Sequence, residues 1–149
     1  MAPGTFTVTL QVDGAAAESK TFEVRADPQS TISLADHKTR EAFEIDVMDL
    51  QQQVERLAAD LQKRREAATG DEVARLQALE QRLVGGAGGR GRASGGPQPV
   101  RQRLNGLITA FVGSGARTGT LAAPTATMKA TLAEAKGDLA AIQKESVAR

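Results

Sequence analysis

Two different periods divide the chain. Over residues 5–12 hydrophobic and polar positions alternate, with Phe6, Val8, Leu10 and Val12 on one side and threonines and Gln11 on the other. A period of two predicts a β-strand with one face to be buried. Asp13-Gly14 is a turn signal, and residues 21–25 form a second short run that places Phe22 and Val24 on a common side. Pro28, which has no amide hydrogen to give a ladder, closes this region within residues 1–28.

Beyond it the period becomes helical. Phe43, Val47, Leu50, Val54, Leu57 and Leu61 recur at steps of four and three, an apolar seam on a long helix predicted over 33–68. Ser33 is placed to cap its N-terminus, with Asp36 at the capping-box position. Acids crowd the first half and Lys63-Arg64-Arg65 the end, as the helix dipole favours.

Thr69-Gly70-Asp71 reads as a C-cap followed by an N-cap, opening a second helix over 71–84 with Val73, Leu76, Leu79 or Glu80, and Leu83 on one stripe. A single helix bending at Gly70 is the alternative, since one glycine costs only about 1 kcal/mol. Residues 85–99, dense in glycine, predict a flexible linker. A third helix over 100–112 presents Val100, Leu104, Leu107, Ile108 and Phe111, and residues 113–123 form a second loop. Pro124 suits the first turn of a fourth helix reaching 146, with Met128, Leu132, Ala135, Leu139 and Ile142 inward. The fold class expected is therefore mainly α, an up-down four-helix bundle over 29–149 preceded by a β-hairpin. A lone two-stranded hairpin is marginal in water and needs a third strand or a covering element. It has the form of the tail end of a β-sandwich whose other strands lie elsewhere.

Composition narrows the chemistry. Nineteen basic residues against eighteen acidic leave a net charge of +1, so no overall field attracts nucleic acid or an anionic membrane. There is no cysteine, which excludes disulfides and thiolate chemistry. No apolar run approaches the roughly 20 residues of a membrane helix, and the opening Met-Ala-Pro-Gly lacks the features of a secretion signal.

Gly86–Gly91 spells G-x-G-x-x-G but follows a helix instead of a strand, so it lacks the context of a dinucleotide site. Arg90, Arg92, Arg101 and Arg103 could touch phosphate, but no aromatic platform accompanies them. His37, the single histidine, adjoins Asp36 on a helix, where neighbours point about 100° apart and form no oriented pair. No catalytic residue, cofactor or metal site is expected. A glycosidase would need two positioned carboxylates, and the flat Trp and Tyr rings common in sugar sites are missing.

In order along the chain, four stretches resemble the C-terminal region of secreted bacterial proteins with sortilin-type, BNR-repeat β-propellers, often described as glycosyl hydrolases. Residues 2–14, Ala-Pro-Gly-Thr-Phe-Thr-Val-Thr-Leu-Gln-Val-Asp-Gly, are similar to that family's closing hairpin. Phe22-Glu-Val-Arg-Ala-Asp-Pro28 resembles its final strand and exit. Residues 79–83 with 99–105 are similar to its mid-bundle segment, and Ala123-Pro124-Thr125 with the Leu132/Leu139 helix to its last element. The resemblance implies immunoglobulin-like strands followed by a helical bundle and a secreted or periplasmic parent. None of the matched stretches is catalytic.

The function expected is non-catalytic docking. Phe6, Val8, Leu10, Val12, Phe22 and Val24 would form the contact row, and the partner would be a β-sheet or propeller-containing polypeptide, or a second copy in a homo-oligomer. The alternative is a helical adaptor that self-associates through a coiled coil of its first helix.

Overall fold

The computed structural model describes residues 2–14, 16–86 and 97–147, with backbone alone at Arg117. Strand β1 (Gly4–Leu10) pairs antiparallel with β2 (Glu18–Val24), in a register that sets Phe6 opposite Phe22 and Leu10 opposite Glu18. Two boundaries differ from expectation by more than one residue. Leu10–Glu18 is the last pair of the ladder, so Val12 lies beyond it, in the segment leading to Asp13-Gly14. β2 begins three residues early, because Glu18, Ser19 and Lys20 continue its alternation. At the exit, Asp27 accepts the Gln29 amide on Oδ1 at 2.8 Å and the Ser30 amide on its carbonyl at 2.9 Å, which turns the chain towards the helices.

Helix α1 (Leu34–Ala67) starts where the cap predicts. Ser33 Oγ accepts the Asp36 amide at 3.1 Å and donates to the Asp36 carboxylate at 2.6 Å. Its 34 residues span about 51 Å at 1.5 Å each. The chain breaks at Ala68–Gly70 and does not bend through. Gly70 has φ +63°, a left-handed conformation that a side chain would strain, and it serves as N-cap of α2 (Asp71–Val84). Asp71 is therefore the first helical residue, where its charge and that of Glu72 meet the positive end of the dipole.

Helix α3 (Val100–Val112) ends at Gly113, and the following loop contains a small hairpin, β3 (Gly113–Ser114) with β4 (Arg117–Thr118), turning at Gly115 with φ +59°. That hairpin folds back on α3, and the Thr120 amide reaches the Ala110 carbonyl at 3.2 Å. Gly119 lies so close to the Phe111 carbonyl that a Cβ there would overlap it. Helix α4 (Ala126–Val147) begins two residues later than expected. Thr125 caps it, accepting the Met128 amide on Oγ1 at 3.2 Å, so Pro124 precedes the cap and packs in a buried position.

The four helices form one bundle, and side-chain pairs along α1 fix their directions. Descending from its C-terminal end, α1 meets α2 through Arg65–Glu80, then α3 through Glu55–Arg101, Gln51–Asn105 and Phe43–Phe111. Helix α3 thus retraces α1 antiparallel, and α2, which follows α1 after the break at Ala68–Gly70 and ends where Gly85 meets Pro99 before α3, runs back along it in the same direction as α3. Helix α4 runs parallel to α1, since Asp46 bonds Lys136 and Arg64 bonds the Ser146 carbonyl. The expected linker joins α2 to α3. Its centre, with most of the G-x-G-x-x-G run, lies outside the described residues, but its ends meet: a Cβ on Gly85 would stand 3.3 Å from Pro99 Cγ.

The core lies entirely between helices. It contains Phe43, Val47, Leu50, Val54 and Leu61 of α1, Leu76, Leu79 and Leu83 of α2, Val100, Leu104, Leu107 and Phe111 of α3, and Leu132, Ala135, Leu139 and Ile142 of α4. Leu79, not Glu80, takes the inward place on α2, while Glu80 pairs with Arg65 at 3.1 Å. The seam of α1 is filled by the chain's own helices.

Candidate interaction surface

The β1–β2 hairpin is built with two unlike faces. On one, Thr7 and Thr21 hydroxyls stand 3.4 Å apart and those of Thr9 and Ser19 2.7 Å apart, a polar ladder across the strands. On the other, the Phe6 and Phe22 rings stack with centroids 5.9 Å apart at 30°. Val8 and Leu10 continue that face on β1 and Val24 on β2.

Among the described residues this apolar face has no cover. Val8 is 58% exposed, Leu10 64%, Val12 55% and Phe22 43%, whereas Phe6 and Val24 are partly buried near the hairpin's base. Neither strand packs broadly on a helix among the described residues. The segment is moored at its start: Ala2 is buried and its amide donates to Glu41 Oε1 of α1 at 3.0 Å. The hairpin thereby leaves the end of the bundle where Phe43, Phe111 and the Arg40 guanidinium cluster, the last 5.5 Å from the Phe111 ring centre.

Five of the six residues expected to form the contact row, Phe6, Val8, Leu10, Phe22 and Val24, share one face of the ladder; Val12 does not join them. Two residues were missed. Lys20 lies opposite Val8, and Glu18 opposite Leu10, so the distal half of β2 lines the apolar row with charge. The signal was present in the sequence, because Ser19 and Thr21 repeat the hydroxyl alternation of Thr7 and Thr9.

The other candidates are engaged in the bundle. Asp36 is held by Ser33, and partly buried His37 follows it in the first turn of α1. Arg101 makes a two-pronged ion pair with Glu55, and Arg103 pairs with Asp138, so both are bound within the fold. Arg90 and Arg92 lie outside the described residues. Between α2, α3 and α4, a cleft of about 140 Å³ is lined by Arg82, Pro97, Arg103, Asp138 and Ile142. Its charges are matched, as Arg82 bonds Glu145 at 2.5 Å and Arg103 bonds Asp138. No described helix is long and apolar enough to cross a membrane.

No family model, curated protein or solved structure matches the chain.

Proposed function

We propose that the chain is a non-catalytic docking module in which the helical bundle carries the hairpin and the hairpin engages a β-sheet of another polypeptide. The observation that carries this reading is the contrast at the hairpin: a ladder whose outer edges meet no further strand among the described residues, and an apolar row in which Val8, Leu10 and Phe22 are exposed, attached to a bundle whose own core is closed. Strand addition supplies main-chain bonds to such an edge, and the apolar face supplies buried contact. Covering that face contributes roughly 1.5–3 kcal/mol for each large side chain fully buried. The resemblance of residues 2–14 and 22–28 to the closing strands of propeller proteins agrees with this role, and would make the module the tail, attached or detached, of such a secreted parent.

The adaptor reading loses its seam, because Val47, Val54 and Leu61 have no exposure. What α1 leaves outside is Leu34 at its first turn and a short patch at Ile45 and Met48.

Hydrogen exchange tests the docking role. In the free monomer, amides of residues 4–24 should exchange fast and those of the bundle slowly; a sheet-bearing partner from the same source should slow the former. Val8→Asp should abolish that protection and leave helical circular dichroism unchanged. Slow exchange throughout residues 4–24 in the isolated monomer would overturn the reading.

A further inference from the structure

The two edges of the hairpin are chemically unlike. Strand β2 carries Glu18, Lys20 and Glu23, with Arg25 paired to Glu23 at 2.9 Å just beyond it. Strand β1, Gly-Thr-Phe-Thr-Val-Thr-Leu, carries no charge and no proline over seven residues. Natural sheets protect exposed edges with charge, proline or bulges. Here β2 is protected and β1 is not, which marks β1 as the edge that pairs.

We infer that β1 pairs antiparallel with β1 of a second copy of this chain, giving a four-stranded sheet in the order β2–β1–β1–β2. This rests on the docking role proposed for the hairpin and names its partner. The strand is self-complementary about Thr7. A two-fold axis there sets Phe6 opposite the partner's Val8 on the apolar face, and Thr5 opposite the partner's Thr9 on the hydroxyl face. The hydroxyl ladder of Thr7–Thr21 and Thr9–Ser19 then continues across the seam, and no charge meets another. The corresponding arrangement of β2 about Thr21 fails, because it faces Lys20 with Phe22 and Glu18 with Val24. A net charge of +1 sets up little repulsion between copies. Four strands also satisfy the requirement of three or more that a lone hairpin misses. Because the strands run antiparallel, the two bundles lie at opposite ends of the shared sheet.

The test is sedimentation equilibrium of the full chain and three lysine variants. The parent is expected to sediment at twice the monomer mass. Thr7→Lys places two like charges at the axis and should yield monomer. Thr21→Lys alters the partner position of the same cross-strand pair and should remain dimeric, as should Met48→Lys on the outer face of α1. Retained helical circular dichroism in each variant confirms that the bundle is folded. A parent that is monomeric at all concentrations overturns the pairing with a second copy and leaves docking to a different polypeptide standing. Dissociation by Met48→Lys but not by Thr7→Lys overturns it in favour of helical association.

Discussion

The chain has four phenylalanines, and they form two pairs with ring centroids 5.9 Å apart in each. Phe43 and Phe111 meet edge to face inside the bundle, at 8% and 4% exposure. Phe6 and Phe22 stack across the hairpin in open surroundings. Ring contact alone is comparable in the two, so the difference lies in what surrounds it. The inner pair joins α1 to α3 and is enclosed by other core residues, whereas the outer pair joins two adjacent strands and has solvent where a second layer would lie. One pair belongs to a region that completes itself, the other to a region that awaits completion.

The largest expected effect breaks the inner pair. Phe111→Ala removes a buried ring and its contact with the Arg40 guanidinium, and should lower stability by about 3–5 kcal/mol in urea unfolding. A loss below about 1 kcal/mol would mean that the end of the bundle nearest the hairpin is not packed as described. Next is Gly119→Ala, at the turn that closes over the same helix end. Its new methyl would overlap the Phe111 carbonyl backbone, so the β3–β4 loop must lift and surrender the Thr120–Ala110 bond. A cost of about 1–3 kcal/mol is expected in the same assay, as for overpacking elsewhere.

That second site shows where the sequence stopped being readable. The helices were legible because a helix reports its buried face by spacing along one element; Val47, Leu50, Val54 and Leu61 needed no knowledge of their neighbours. The Ser33 cap was equally local. Gly119 was not, because its need for a missing side chain comes from Phe111, on a different element. The shared direction of α2 and α3 was hidden for the same reason: it depends on Gly85 meeting Pro99 across the linker. At the hairpin, alternation gave Phe6, Val8, Leu10, Phe22 and Val24 correctly, but a strand's extent is set by its partner. The hydroxyl alternation through Ser19 hints at a longer β2, but the register fixes the extent: Glu18 and Lys20 join the ladder and Val12 does not.

The far end of the bundle offers a smaller, pH-dependent contrast. Arg64 and Arg75 donate to the carbonyls of Ser146 and Glu145, and Arg82 grips the Glu145 carboxylate at 2.5 and 3.1 Å, so arginines close the last turn of α4. The hydrogen bond from Arg82, aided by its charge and that of Arg75, holds the Glu145 carboxyl below the usual carboxylate range. Its folded value therefore lies under its unfolded one. The contribution is complete above the unfolded value and disappears as pH falls through the folded value. Acidification should fray residues 143–147 first, seen as faster amide exchange there while the core helices stay protected. Glu145→Gln should remove the pH dependence of that fraying; an unchanged acid profile in this variant would assign it to other groups.

The smallest effect on stability is expected at the outer pair, and it decides the comparison. Phe22→Ala removes a ring as large as Phe111's, from a site where it is 43% exposed and stands outside the buried helical core. The bundle's unfolding free energy should stay within about 0.5 kcal/mol of the parent, as for surface changes remote from a core. Association through the hairpin should weaken in the same variant, because the lost ring borders Phe6 on the face that docking would cover. The two measurements on one protein separate a residue that holds the fold from one that serves a partner. If Phe22→Ala instead destabilises the helices as much as Phe111→Ala does, hairpin and bundle fold as one unit and the division between them is wrong.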